Sequence, residues 1–219
     1  MNIKILYDNQ AARGFRSGWG FSALVEPNLL FDVGEKAEPL LANTRRFGIS
    51  LEQVRHVVLS HEHSDHVGGL GVLAECGSVD VYLPRSFSRG IKSRIRQVND
   101  RARIVEVGED IELEDGVIVT RELSGDETPE ISAAVGTSKG LVLLVGCSHP
   151  GLDAIMENAS RYGDIHAVVG GFHGFSNLEA LSRVAVIVPT HCTQHKEEIR
   201  TRYPEKTRSV AAGSEIRFD

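Results

Sequence analysis

Short apolar runs recur along the chain and predict strands, and in the first of them apolar and polar residues alternate in the manner of a half-buried strand. The first such segment is residues 3–7. Two more, residues 22–26 and 29–32, flank Pro27 and Asn28, which favour a hairpin turn. The remaining predicted strands cover residues 56–60, 79–83, 103–107, 117–123, 131–136, 141–146, 166–170, 184–188 and 214–218.

Other segments repeat their apolar residues at helical spacing. One covers residues 85–98, and Pro84 would start that helix. Ser50 would cap a short helix, because Gln53 stands at the third helical position of a capping box. The other predicted helices cover residues 36–48, 67–75, 151–162, 176–183 and 194–202. Strands come first in hairpins and then alternate with helices, so we expect one domain over residues 1–219, with two mixed sheets and helices outside them.

The histidines are concentrated at the ends of predicted strands. Six of the nine follow an apolar run by one to a few residues, namely His61, His63, His66, His149, His173 and His191. Ligands of α/β folds bind where the carboxyl ends of strands meet. Four strand ends therefore offer imidazoles, and we expect these to approach one another. His56, His166 and His195 do not follow the pattern.

Residues 61–66 carry the strongest chemical signal, with three histidines and an aspartate within six positions. His61 and His63 can face the same side of an extended segment. Asp65 and His66 follow as the chain turns. Imidazole and carboxylate suit Zn(II), and also Fe or Mn. We expect two divalent ions, zinc first and Mn, Fe or Mg as alternatives. Two ions need more than four protein ligands, and His149 and His191 would supply the others.

Residues beside these histidines invite two interpretations each. Asp32 ends a strand, and its carboxylate would accept the second N–H of a metal-bound histidine or serve as an ordinary turn residue. Cys147 and Cys192 adjoin two of the histidines, as thiolate ligands or, the interpretation we favour, as small buried residues. Three cysteines are no disulfide framework, so we expect reduced thiols.

Charge and composition limit the class of partner. The net charge of −6 argues against broad nucleic-acid binding, although residues 85–103 carry seven basic residues and one acidic residue. Four of these basic residues would lie on one face of a helix, namely Arg85, Arg89, Lys92 and Arg96. They would either bind phosphate groups of a substrate or form an ordinary solvated helix face. No run of 18 apolar residues and no signal-peptide pattern occur, so we expect a cytoplasmic protein that acts on a small molecule.

The motifs resemble those of the metallo-β-lactamase superfamily. They are FDVG at residues 31–34 and LSHEHSDHVGGL at residues 59–70. The chain is further similar to the branch of 7,8-dihydropterin-6-methyl-aminobenzene-phosphate synthases in its later segments, GLVLLVGCSHPG, VVGGFHG, VPTHCT and AAGSEIRF. The resemblance implies an α/β (α+β) fold, a four-layer αββα sandwich with the site at one edge.

The resemblance also implies roles for individual residues. One metal would be held by His61, His63 and His149. The other would be held by Asp65, His66 and His191. His173 would lie near the substrate or carry a proton, and Asp32 and Cys147 would stand behind the ligands.

The chain departs from the family pattern in two ways. Hydrolases of the superfamily have a histidine before the strand at residues 141–146, and none lies between His66 and His149. They also have an aspartate that bridges the metals, where this chain offers Cys147. Relative to the synthase branch, Gly174 and Gln194 replace the expected residues.

Three functions are compatible with these residues. The first is metal-dependent hydrolysis of a small, anionic, phosphorylated substrate, with Asp65 and His173 as catalytic residues. The second is transfer or synthesis in which a phosphate or diphosphate leaves while another nucleophile attacks. The third is a non-catalytic metal or thiol redox sensor that uses Cys147 and Cys192.

Overall fold

The structure is a computed structural model that describes residues 1–125 and 128–218. Its strands are β1 (Asn2–Tyr7), β2 (Ser22–Val25), β3 (Leu29–Phe31), β4 (His56–Val58), β5 (Val79–Pro84), β6 (Ala102–Val107), β7 (Ile111–Glu112), β8 (Val117–Val119), β9 (Ala133–Thr137), β10 (Gly140–Val145), β11 (Ile165–Gly170), β12 (Val186–Pro189) and β13 (Glu215–Arg217). The α-helices are α1 (Ala37–Phe47), α2 (Ser64–Val67), α3 (Arg89–Val98), α4 (Leu152–Ser160) and α5 (Lys196–Arg202).

These strands form two sheets. The first has the order β13-β1-β2-β3-β4-β5-β6, and the second has the order β12-β11-β10-β9-β8-β7. In the first sheet β1 is antiparallel to β2 and β2 to β3, while β3 to β6 are parallel. The strands β1, β3, β4 and β5 therefore end at the same edge. In the second sheet β10, β11 and β12 are parallel and share one edge in the same way.

Strand periodicity divides the apolar residues among three cores. Along β10, Val142 and Leu144 face the first sheet, whereas Leu143 and Val145 face outward onto helices. The central core lies between the sheets, and each outer core lies between a sheet and its helices. Leu40 of α1 packs on the first sheet and Ile155 of α4 on the second. The arrangement is the four-layer αββα sandwich that the family resemblance implies, and the prediction of two mixed sheets is confirmed.

Most predicted elements are present, but several predicted helices are wrong in extent or type. Residues 67–75 contain the end of α2 and a 3₁₀ turn, Leu70–Glu75, instead of one helix. A Cβ atom at Gly69 would lie 2.1 Å from the carbonyl oxygen of Val33, so the chain here is held against a neighbouring backbone. This close approach explains why the glycines interrupt the helix.

The predicted helix starts also need correction. Pro84 ends β5, paired with Val107, and α3 begins after Ser88, whose hydroxyl accepts a hydrogen bond from the Ile91 N–H at 3.3 Å. Ser50 precedes a single 3₁₀ turn and makes no side-chain cap hydrogen bond. Residues 176–183 likewise contain a 3₁₀ segment, Leu178–Arg183.

Several predicted strands differ in extent, and one strand went unpredicted. The strand predicted over residues 117–123 ends at Val119, and β9 begins two residues later than expected. The two-residue strand β7 was not predicted, since it is too short for its pattern to be seen. Within the described ranges, no helix has the length and apolar character needed to cross a membrane.

The end of β11 offers a test of the packing between its neighbours. Gly170 has a φ of +139°, and a Cβ there would lie 1.9 Å from the Val145 carbonyl oxygen. We expect Gly170→Ala to lower the free energy of unfolding by about 3 kcal/mol or more, because backbone would have to move. Urea unfolding measures this. Gly77→Ala is the control, since its nearest contact would be an ordinary 3.5 Å, and an equal loss in both variants would contradict the explanation.

Candidate metal centre

The two sheets place their carboxyl strand ends together, and the predicted ligand residues lie there. Asp32 follows β3, and the segment His61 to His66 follows β4. Cys147 and His149 follow β10, while His191 follows β12. We call the following seven residues the ligand cluster: His61, His63, Asp65, His66, Cys147, His149 and His191. The cluster draws its members from both sheets.

The backbone at these strand ends is unusual. Among the described residues, those other than glycine with positive φ are Asp32, Ser148, His173 and His191, with φ of 52°, 62°, 42° and 39°. Each stands one to three residues after a strand. Left-handed backbone at a residue with a side chain costs free energy and is concentrated at functional sites. Here it turns each side chain across the sheet edge.

Asp32 is fully buried and is linked by hydrogen bonds to Ser60 and His66, and through Ser60 to His61. Its Oδ1 accepts the Ser60 N–H at 2.7 Å, and its Oδ2 accepts the Ser60 hydroxyl at 2.7 Å. The same Oδ2 lies 2.6 Å from His66 Nδ1. Because the Ser60 hydroxyl gives its proton to the carboxylate, its oxygen accepts from His61 Nδ1 at 2.9 Å. Asp32 thus contacts His66 directly and His61 through Ser60, and its orienting role for a metal-bound histidine stays a prediction.

His191 is oriented from the other side by Asn9. The Asn9 side chain donates to the His191 carbonyl oxygen at 3.1 Å, and its Oδ1 accepts the Gly20 N–H at 3.2 Å. That orientation makes Asn9 Oδ1 an acceptor for His191 Nδ1, 2.9 Å away. His191 Nε2 then faces Asp65 Oδ2 at 2.9 Å.

The loop of Cys147 and His149 is held by a buried carboxylate. Glu130 is 1% exposed and accepts four backbone N–H groups. They belong to the four residues Gly146, Cys147, Ser148 and His149, at 2.8–3.2 Å. Cys147 Sγ reaches His66 Nε2 at 3.1 Å and Cys192 Sγ at 3.2 Å.

The ligand atoms form two groups. In one, atoms of Asp65, His66, Cys147 and His191 all lie within 4.8 Å of one another. In the other, the same holds for His61, Cys147 and His149. Groups of this composition and spacing could hold metal ions.

Two further histidines border these groups. The ring centroid of His63 lies 4.7 Å from that of His61 and 4.8 Å from that of His149, while its Nε2 is 3.2 Å from Thr128 Oγ1. The ring centroid of His173 lies 5.1 Å from that of His149. All six predicted metal-ligand residues and His173 are therefore brought together.

The basic residues of the predicted phosphate-binding face have different surroundings. Lys92 Nζ lies 3.1 Å from the Glu106 carboxylate, and the Arg85 side chain lies against Gly108 at the end of β6. Arg89 is exposed at the start of α3. That end of α3 adjoins the ligand cluster, since Glu62 accepts the Ser88 N–H at 2.5 Å.

Burial and neighbouring charges shift the pKa values of the cluster in different directions. Burial and the adjacent histidines His66 and His149 hold the pKa of His61 well below its usual value, so its imidazole is neutral. Burial also lowers the pKa of His66, but the Asp32 and Asp65 carboxylates outweigh it and the pKa is raised. For Asp65, burial opposes ionisation, yet the contacts with His191 and His66 lower its pKa.

Several site residues escaped the sequence prediction. Glu130 precedes β9, 16–19 residues before the loop that it holds, and no local pattern marks it. Asn9 follows β1, so the same rule of polar residues after strand ends identifies it once β1 is known to end at this edge. Trp19 is 57% exposed and makes an edge contact with His191, with ring centroids 4.9 Å apart.

Comparison with known proteins agrees with this geometry. The family model of the metallo-beta-lactamase superfamily matches residues 21–155. A solved structure described as a metal-dependent hydrolase of the beta-lactamase superfamily is 28% identical, with a TM-score of 0.82, and the match covers 100% of this chain and 99% of that one.

Two proteins of Methanocaldococcus jannaschii are also similar. One is a 7,8-dihydropterin-6-methyl-4-(beta-D-ribofuranosyl)-aminobenzene-5'-phosphate synthase, 26% identical over 99% of this chain and 97% of its own length. The other is an uncharacterised protein, 29% identical over 89% of this chain and 91% of its own. Since the family model covers more than half of the chain, the chain belongs to the metallo-β-lactamase superfamily.

Proposed function

We propose that the chain is a metal-dependent hydrolase with a dinuclear centre, acting on a small, anionic, phosphorylated substrate. The observation that carries the proposal is the state of the imidazoles in the ligand cluster. His61 Nε2 is buried and has no hydrogen-bond partner among residues 1–125 and 128–218. A buried polar atom without a partner is costly unless a ligand occupies the space it faces.

The proton positions on three imidazoles fit metal binding. His61 donates from Nδ1 to Ser60, His66 to Asp32, and His191 to Asn9. Each Nε2 is therefore left as a lone pair directed into the cluster when the imidazole is neutral. At His191 that lone pair would face the Asp65 carboxylate at 2.9 Å, and two acceptors at this distance need a proton or a cation between them.

When bound, two divalent ions would polarise the substrate and supply a water that ionises near neutral pH. We assign His61, His63 and His149 to one ion, and Asp65, His66 and His191 to the other. Zinc suits this set of nitrogen and carboxylate ligands, with Mn, Fe or Mg as alternatives. As an ionised carboxylate, Asp65 would accept a hydrogen bond from the attacking water, and His173, whose ring adjoins His149, would exchange a proton with solvent or substrate.

The anionic substrate is supported by the position of α3. Arg89 stands in the first turn of this helix, next to the segment that carries His61 to His66. Its guanidinium is suited to bidentate contact with phosphate. Lys92 and Arg85 were predicted to take part, but each has a neighbour on the β6 side, so Arg89 is the residue on which we base phosphate recognition.

Group transfer is the second candidate function. It is supported by the similarity to the dihydropterin synthase over 99% of this chain. It is also supported by Cys147, which stands where hydrolases of the superfamily have an aspartate. In this version the phosphate or diphosphate of the substrate leaves while a nucleophile other than water attacks.

Metal content and the fate of labelled water test both functions. We expect metal-free protein to rebind two zinc ions per chain by elemental analysis, and His61→Ala to lose at least one of them.

Turnover of lactones, thioesters, phosphodiesters and pterin diphosphates in isotopically labelled water should place label in the product if water is the nucleophile. Product without label, joined to an added acceptor, would favour transfer. Less than one ion per chain under every condition would defeat the proposal, and binding without any turnover would point to a sensor.

Asp32→Asn tests the orientation of the imidazoles. We expect metal affinity to fall about 10- to 100-fold, the range seen when outer hydrogen-bond partners of ligands are lost. Competition with a chromophoric chelator measures it, and circular dichroism of the metal-free variant reports folding. The control is Asp80→Asn, which removes a surface ion pair with Arg103. Unchanged affinity in folded Asp32→Asn would show that Asp32 does not orient ligands.

Arg89→Ala tests phosphate recognition. We expect the dissociation constant for inorganic phosphate on the metal-loaded protein to rise about 10- to 150-fold, since a charge-assisted hydrogen bond contributes about 1.5–3 kcal/mol. Calorimetric titration measures the constant. Lys92→Ala is the matched control, because Glu106 and the Arg85 carbonyl oxygen already hold its ammonium group. Equal effects in the two variants, or none in Arg89→Ala, would remove Arg89 from the substrate site.

A further inference from the structure

We propose that Cys147 is a thiolate ligand shared by the two metal positions, in the place where other members of the superfamily have a carboxylate. The inference rests on the proposed function, because it requires both ions to bind. It replaces the interpretation of Cys147 as a small buried residue behind the ligands.

The first argument is position. Among the described residues, Cys147 is the one side chain that belongs to both ligand groups. Its sulfur lies within 4.8 Å of ligand atoms of His61 and His149 on one side, and of Asp65, His66 and His191 on the other. Asp65, the carboxylate of the cluster, belongs to a single group. Of the atoms in the two groups, the sulfur is the one placed to reach both positions.

The second argument concerns the atoms that surround the sulfur. His66 Nε2 is 3.1 Å away, and because Nδ1 of that ring donates to Asp32, Nε2 presents its lone pair to the sulfur when the imidazole is neutral. Cys147 is 3% exposed, so water does not compete for the sulfur. Lone pairs of sulfur, imidazole and carboxylate that converge in a buried place are compatible when cations lie among them.

The third argument is that the sulfur is already in position. Glu130 accepts the N–H groups of the whole loop from Gly146 to His149, and the loop packs closely against its neighbours. A Cβ at Gly146 would lie 2.2 Å from Ser60 Oγ, so the loop lies directly on the residue that links Asp32 to His61. The backbone that carries the sulfur is therefore held in place by hydrogen bonds and by close packing.

The chemistry is a ligand exchange without oxidation or reduction. The S–H bond of Cys147 breaks, the proton passes to solvent, and the sulfur donates its electron pairs to the ions. A thiolate in this place selects borderline or soft divalent ions such as zinc or cobalt, and disfavours magnesium. Among the candidate ions, the proposal therefore favours one that binds thiolate well, such as zinc, over magnesium.

Cobalt(II) is the probe that tests the proposal, because a thiolate ligand produces a near-ultraviolet charge-transfer absorption on this ion. Metal-free protein is titrated with Co(II), and the band is expected to grow until two equivalents are bound. In Cys147→Asp, which restores a carboxylate, two ions should bind without the band. In Cys147→Ala both ions should bind about tenfold more weakly or worse. X-ray absorption of the zinc form should show sulfur at about 2.3 Å.

Two other thiols serve as controls. Cys192→Ser removes the neighbour at 3.2 Å, and Cys76→Ala removes a buried thiol in the outer core of the first sheet. Both variants should keep the band. A band that stops growing at one equivalent, persists in Cys147→Asp, or disappears in Cys192→Ser would overturn the shared thiolate. Two bound ions without any band would refute this inference alone, whereas wild-type protein that binds less than one ion would refute the proposed function itself.

Discussion

The buried carboxylate of Asp32 is the interaction on which the candidate centre depends. It accepts three hydrogen bonds at one strand end, and two of them come from Ser60 on the neighbouring strand. An anion without such donors would be costly in this place. The same contacts decide which nitrogen of His66 carries a proton, and through Ser60 they decide it for His61. One side chain thus joins β3 to β4 and prepares two imidazoles for a cation.

Much of the fold and of the centre could be predicted because their signals are local. Period-two alternation marks β1, and buried apolar runs mark β10, β11 and β12. A histidine that follows such a run in the sequence lies at the same sheet edge in the structure, since parallel strands end at one edge. His149 and His191 were found in this way, although they lie more than 80 residues from His61 in the sequence. The family resemblance supplied the layer order, which local patterns leave open.

The remainder depends on contacts between distant parts of the chain. Glu130 looks like any acidic residue until its four N–H donors are in place, and Asn9 matters only because β1 ends beside β12's loop. The helix predicted over residues 67–75 was wrong for a similar reason, since Gly68 and Gly69 press against the backbone of residues 33–35. Residue spacing along the sequence does not predict such contacts between distant segments.

The ligand cluster draws its members from strand ends of both sheets, and this has a thermodynamic consequence. Any ion bound by His61 and His149, or by His66 and His191, cross-links the two halves of the sandwich. Binding to the folded state alone adds stability by mass action, about 4 kcal/mol when the free ion exceeds its dissociation constant a thousandfold. Supply of metal would then govern how long the polypeptide survives in its host, as well as how fast it turns over substrate.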